Sequence, residues 1–113
     1  MRWRKLGLVF GPDGSMSWAR SHAMIPTPIL LNKDVIRVYV TFCDDKGIGR
    51  PGYVDVSASD PLKVLGVSRH PLLDIGRPGT FDENGLLTCG VADLGDGRIY
   101  MYYAGFELGT KIR

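Results

Sequence analysis

The chain has 113 residues, of which 14 are Lys or Arg and 12 are Asp or Glu, giving a formal net charge of +2. That length holds one modest domain, and 44% apolar with 23% charged residues excludes a disordered chain. Basic residues cluster only at Arg2, Arg4 and Lys5 and at Lys111 and Arg113, which excludes the concentrated basic face of a nucleic-acid binder.

Residues 3–10 read as a first strand, closed by the turn Gly11-Pro12-Asp13-Gly14. Their apolar run, 6–10, is cut off before it could serve as the core of a secretory signal. No stretch approaches the roughly 18 apolar residues of a membrane helix, so a soluble, cytoplasmic protein without a membrane partner is expected. Residues 15–21 read as irregular. Residues 23–31 contain Pro26 and Pro28, which cannot donate to a ladder, so a strand here must begin as an edge.

Residues 35–42 alternate cleanly, with Ile36, Val38, Val40 and Phe42 on one face and Val35, Arg37, Tyr39 and Thr41 on the other. Residues 43–52 are polar and Gly-rich and read as a loop, followed by strands at 53–57 and 63–67. The Gly-rich loop is followed by no helix, so it does not offer the amide cradle of a phosphate site. Residues 70–81 form a crossover, and 86–94 and 98–106 make a second hairpin around Gly95-Asp96-Gly97. The 15 Gly and 7 Pro fall between these short apolar runs, as turns between strands require, and the fold class is all-β. Cys43 and Cys89 lack any metal-ligand spacing and read as two reduced, partly buried thiols; no cofactor is expected.

The two hairpins align at an offset of 63 residues, which sets Leu31 on Leu94, Ile36 on Ile99, Val38 on Met101 and Tyr39 on Tyr102. An internal repeat of this kind is the mark of a propeller or an array. Each unit of a propeller is a blade of four antiparallel strands, and residues 23–69 supply one, with 79–113 beginning a second.

Several stretches carry a resemblance in combination. They are Trp3 with Gly-Leu-Val-Phe-Gly-Pro-Asp-Gly at 7–14, Ser-Trp-Ala-Arg-Ser-His-Ala at 17–23, Pro-Thr-Pro at 26–28, Ile-Arg-Val-Tyr at 36–39, Phe-Asp-Glu-Asn-Gly at 81–85 and Tyr-Met-Tyr-Tyr-Ala-Gly at 100–105. Together they resemble the N-terminal part of five-bladed β-propeller proteins related to glycoside hydrolases and mannoside phosphorylases. The resemblance implies a truncated five-bladed β-propeller of antiparallel four-stranded blades, with residues 1–113 as a single partial domain. It implies a carbohydrate ligand that the protein binds, and once hydrolysed or phosphorolysed.

In such a propeller the functional groups gather at strand ends, and glycosidic chemistry needs one protonated and one ionised carboxyl group. Asp44 and Asp82 are the candidate pair, one just past the second strand of the first unit and the other just before the second unit, so that both could face one pocket. Asp45, Glu83 and Asn84 are candidate sugar contacts, with local turn bonding as the other reading of Asp82, Glu83 and Asn84. His22 offers a donor at neutral pH, Arg50 a planar fork and Tyr53 a stacking face, while Trp18 serves either as a sugar platform or as a packing anchor. Relatives in the resembled family tend to carry Arg-Asp where this chain has Cys43-Asp44, so the cation that would balance Asp44 is expected to be missing. The alternative to a sugar site is a non-catalytic module whose open strand edges pair with further copies as a homo-oligomer.

Overall fold

The computed structural model describes residues 1–108, and all of its regular structure is β-strand. Four strands, β1 (Ser21–Asn32), β2 (Val35–Cys43), β3 (Gly49–Ser57) and β4 (Val64–Val67), form an antiparallel sheet in chain order. Two more, β5 (Leu86–Asp93) and β6 (Ile99–Gly105), form a separate hairpin. Among the described residues no helix is long and apolar enough to cross a membrane.

The sheet is built around β2, whose alternation holds as expected. Val40 and Phe42 on one face join Val54 and Val56 of β3 and Ala19 as the buried core, with Phe42 wholly enclosed. Phe10 and Trp18 meet the Phe42 ring edge-on at centroid distances of 6.1 and 5.6 Å. Burying a side chain of this size stabilises the fold by about 1.5–3 kcal/mol. On the opposite face Arg37 forms a two-pronged ion pair with Asp55 and lies over the ring of Tyr53 at 3.8 Å. The Asp55 bond, more than the desolvation that opposes it, raises the guanidinium pKa above its ordinary value.

Three expectations need correction. Residues 3–10 form no strand: Trp3 is 91% exposed and only Phe10 packs into the core. An apolar run becomes a strand only where a neighbour takes its amides and carbonyls, and residues 3–10 pair with no described strand. The loop at 43–52 is shorter than its glycines suggest, because β3 begins at Gly49 and pairs Gly49 with Cys43 through Ser57 with Val35 without interruption. Those glycines serve close approach: a Cβ at Gly52 would lie 2.6 Å from the Trp18 ring. Finally, Cys43 is buried but Cys89 is exposed, both as free thiols.

The repeat appears in the register. Adding 63 to both members of the pairs Leu30↔Ile36, Ile29↔Arg37, Pro28↔Val38 and Thr27↔Tyr39 gives Asp93↔Ile99, Ala92↔Tyr100, Val91↔Met101 and Gly90↔Tyr102, all four of which pair in the second hairpin. The register of both hairpins then slips at the next step, after Thr27 and after Gly90 respectively. The two sheets are joined by a buried hydrogen-bonded contact. The Thr88 amide donates to Thr41 Oγ1 at 2.9 Å, the Thr41 hydroxyl donates to Thr88 Oγ1 at 3.3 Å, and both residues are fully buried. Beside them a Cβ at Gly49 would stand 2.8 Å from the Leu86 carbonyl oxygen, so only glycine lets the second hairpin come this close.

Thr41→Val keeps the shape but strands the buried Thr88 amide, and is expected to cost about 1–3 kcal/mol in urea unfolding. Thr27→Val, whose hydroxyl bonds an exposed carbonyl, is expected to stay within about 0.5 kcal/mol.

Candidate functional site

One end of β2 and β3 opens onto a cleft of about 570 Å³ lined by Trp18, Asp44, Asp45, Lys46, Arg50 and Asp74, with Ser17, Ile48, Pro71 and Ile75 completing its wall. Asp44 is the first residue past β2 and shapes the turn into β3. Its Oδ1 accepts the amides of Lys46 and Ile48, each at 2.9 Å, while its Oδ2 accepts Arg50 Nη1 at 2.9 Å. Gly47 turns the chain there at φ +78°, and its amide bonds the Asp44 carbonyl.

The cation expected to be missing beside Asp44 is present after all, as Arg50. It reaches Asp44 from the neighbouring strand, a position that sequence adjacency does not show. Its Nε donates to Asp74 Oδ1 at 2.7 Å, and Asp74 is delivered by the crossover segment, which is tied to β3 where the Leu72 amide bonds the Pro51 carbonyl. Trp18 spans the core and the cleft: its ring packs on Phe42 and its indole NH donates to the Arg69 carbonyl at 2.9 Å. Asp74 went unnoticed in the sequence, since a lone Asp in a Gly/Pro-rich crossover carries no signal until its contact with Arg50 is known.

The electrostatics follow from this wiring. Partial burial pushes the Asp44 carboxyl up, but the Ile48 amide, Arg50 and the Lys46 amide outweigh it, and its pKa lies below the usual carboxylate value. Asp74 is also lowered, first by the Arg50 bond and then by the Ile75 amide. For Arg50, desolvation is overcome by Asp74 and Asp44, and its pKa is raised. The Cys43 thiol is pushed up by burial and by the adjacent Asp44 charge, so it stays protonated at neutral pH.

The other candidate residues lie elsewhere. Asp82, buried, is not among the residues lining the cleft; it accepts the Thr80 hydroxyl at 3.0 Å and the Tyr103 hydroxyl at 3.3 Å. Burial and then Asp82 raise the pKa of Tyr103, whose ring stacks on Phe81 at 6.0 Å. Glu83 accepts the Gly79 amide, a local tie, whereas Asn84 accepts the amide of Leu108, 24 residues on and past the end of β6. Tyr53 sits beneath Arg37 outside the cleft. His22 is exposed on β1 at φ +64°, bonded to the Ser21 hydroxyl at 2.8 Å. Of the nine candidates the structure gathers Trp18, Asp44, Asp45 and Arg50. Among the described residues no group of three His, Cys, Asp or Glu side chains converges as a metal site would require.

Two curated relatives, the uncharacterized proteins MT1551 and Rv1502 of two Mycobacterium tuberculosis strains, are each 35% identical to the chain over 112 residues. The match covers 99% of this chain but 37% of either relative, so the chain spans little more than a third of their length. No protein-family model matches, and no solved structure does.

Because folding lowers the pKa of Asp44, its ionised form favours the folded state at neutral pH, and this contribution fades as pH falls through the lowered value. Asp44→Asn is expected to cost about 1–2 kcal/mol at pH 7, the lower part of the range for charged hydrogen bonds because the cleft is open to water. The gap between variant and parent should close on acidification in urea titrations run across the acid range.

Proposed function

We propose that the Trp18–Asp44–Arg50–Asp74 cleft binds a carbohydrate, and that the chain forms the first two units of a glycosidase-like five-bladed propeller. The observation that carries the ligand class is that the charge of Arg50 is already balanced by two carboxylates. Two of its nitrogens are already held by carboxylates, and the cleft wall sets Asp44, Asp45 and Asp74 against Lys46 and Arg50, a balance of −1. An anionic ligand would meet repulsion there. A neutral polyhydroxyl ligand finds carboxylate acceptors, cationic donors and the flank of an indole, the mixture of an apolar wall with a few fixed polar groups that sugar recognition uses.

Support for the five-unit architecture is arithmetic. If 112 residues are 37% of a relative, that relative has about 300 residues, room for about five units of 63. In the catalytic version of this reading Asp44 is the ionised member of the carboxyl pair, since three donors hold it in its charged form. The protonated partner is then Asp82 of a closed ring or a residue from a unit beyond this chain.

Titration with mono- and oligosaccharides followed by the Trp18 indole NH resonance tests the ligand. Saturable shifts with an affinity on the order of 1 mM are expected, weakened at least about tenfold by Arg50→Leu and little changed by the analogous substitution Arg98→Leu outside the cleft. Flat titrations with every neutral sugar, or shifts that inorganic phosphate reproduces, would contradict the reading.

A further inference from the structure

Two arginines of the first sheet hold carboxylates in different ways, and the difference falls inside the cleft. Outside it, Arg37 closes its fork on Asp55, with Nε donating to Oδ1 at 2.8 Å and Nη2 to Oδ2 at 2.9 Å. Inside it, Arg50 grips Asp74 by one prong. Its Nε donates to Oδ1 at 2.7 Å, an oxygen that also accepts the Ile75 amide at 2.7 Å, while its Nη1 is taken by Asp44 Oδ2. Among the described residues Arg50 Nη2 and Asp74 Oδ2 bond nothing. No buried side-chain nitrogen or oxygen among those residues is without a partner, so Nη2 reaches the solvent of the cleft. The free donor and the free acceptor thus belong to groups already bonded to each other.

We propose that Arg50 Nη2 and Asp74 Oδ2 form a hydroxyl subsite. One ligand hydroxyl accepts from Nη2 and donates to Oδ2, closing through itself the fork that Arg37 and Asp55 close directly. The subsite belongs to the carbohydrate reading of the cleft and rests on it, and Asp74 becomes its specificity-determining residue. A hydroxyl carries a donor and an acceptor on a single atom, and the open fork asks for both. An ether oxygen or a fluorine only accepts, which turns a lone pair toward Oδ2, and a ligand carboxylate does the same at full charge. A site that bonds a hydroxyl in this way rejects the analogue lacking it, because its own polar groups are then left unpaired. Arg50 holds the subsite in place, since its side chain is 15% exposed and bonded at two nitrogens. Asp74, at 71% exposure, owes its position to Arg50, to the Ile75 amide and to the nearby bond from the Leu72 amide to the Pro51 carbonyl.

The probes are methyl glucoside, galactoside, mannoside and xyloside, with the Trp18 indole NH resonance as readout. Whichever binds the parent chain most tightly is compared with its singly deoxygenated and singly fluorinated derivatives. One ring position should stand out, where hydrogen or fluorine in place of the hydroxyl weakens binding at least about fivefold. Asp74→Asn separates this effect from a loss of shape. Its amide oxygen keeps the Arg50 Nε bond and its NH2 replaces Oδ2, so the subsite then offers two donors and no acceptor. In that variant, with far-UV circular dichroism unchanged, the sugar fluorinated at that position should bind within about twofold of the parent sugar. Asp74→Ala should likewise abolish the discrimination between hydroxyl and fluorine. A parent chain that binds a glycoside with no such position, or a fivefold loss that persists in both variants, would overturn the subsite and leave the carbohydrate reading standing. Variants that bind no sugar at all would also overturn it, because Trp18, Asp44 and Arg50 are intact in them. Flat titrations of the parent with all four glycosides would remove the subsite and the carbohydrate reading together.

Discussion

The contact between Thr41 and the Thr88 amide is the constraint from which the larger arrangement follows. A hydroxyl in the middle of a buried strand is costly unless it is bonded, and a buried amide equally so. Here each satisfies the other across two sheets, and Gly49 removes the Cβ that would hold them apart. The bond fixes which face of the second hairpin looks at the first. With that settled, the shared register of the two hairpins makes their packing directional, the face of β5–β6 that carries Thr88 and Met101 turned to the Thr41 face of the first sheet.

A second set of bonds shapes the other end of the same strands. Asp44 draws two loop amides and a guanidinium onto one carboxylate, which ends β2, starts β3 and positions Arg50 for Asp74 in a single step. The same group thus serves fold and site. That double duty also limits its chemistry: a carboxylate tied by three donors accepts hydrogen bonds or stabilises charge, and is a poor source of protons.

Much of the fold was legible in the sequence because its signals are local. The alternation in Val35–Cys43 fixed a strand and its buried face, the Gly95-Asp96-Gly97 turn fixed a hairpin, and the 63-residue spacing foretold a pairing that the structure repeats over four consecutive positions. What could not be read depended on contacts between segments. The stretch 3–10 has a strand-like composition, but composition does not supply a partner. The glycines at 49 and 52 look like loop residues until Leu86 and Trp18 are seen against them. In the site, Asp44 and Arg50 stood out as a charge at a strand end and a charge after a loop, whereas the pairing between them and the arrival of Asp74 are products of the tertiary fold. Asp82, Glu83 and Asn84, equally promising by residue type, lie away from the cleft, Glu83 bonded within its own segment and Asp82 and Asn84 also to β6 and the stretch that follows it.

Native-state hydrogen exchange at the Thr88 amide tests most directly whether the two hairpins form one packed body in the way described. The account predicts that this amide exchanges as slowly as the amides of the β2–β3 ladder, since opening it requires separating the sheets. Exchange at the rate of an unstructured peptide, with the β2–β3 amides still protected, would mean that the second hairpin does not dock through Thr41, and the directional packing built on that contact would fall.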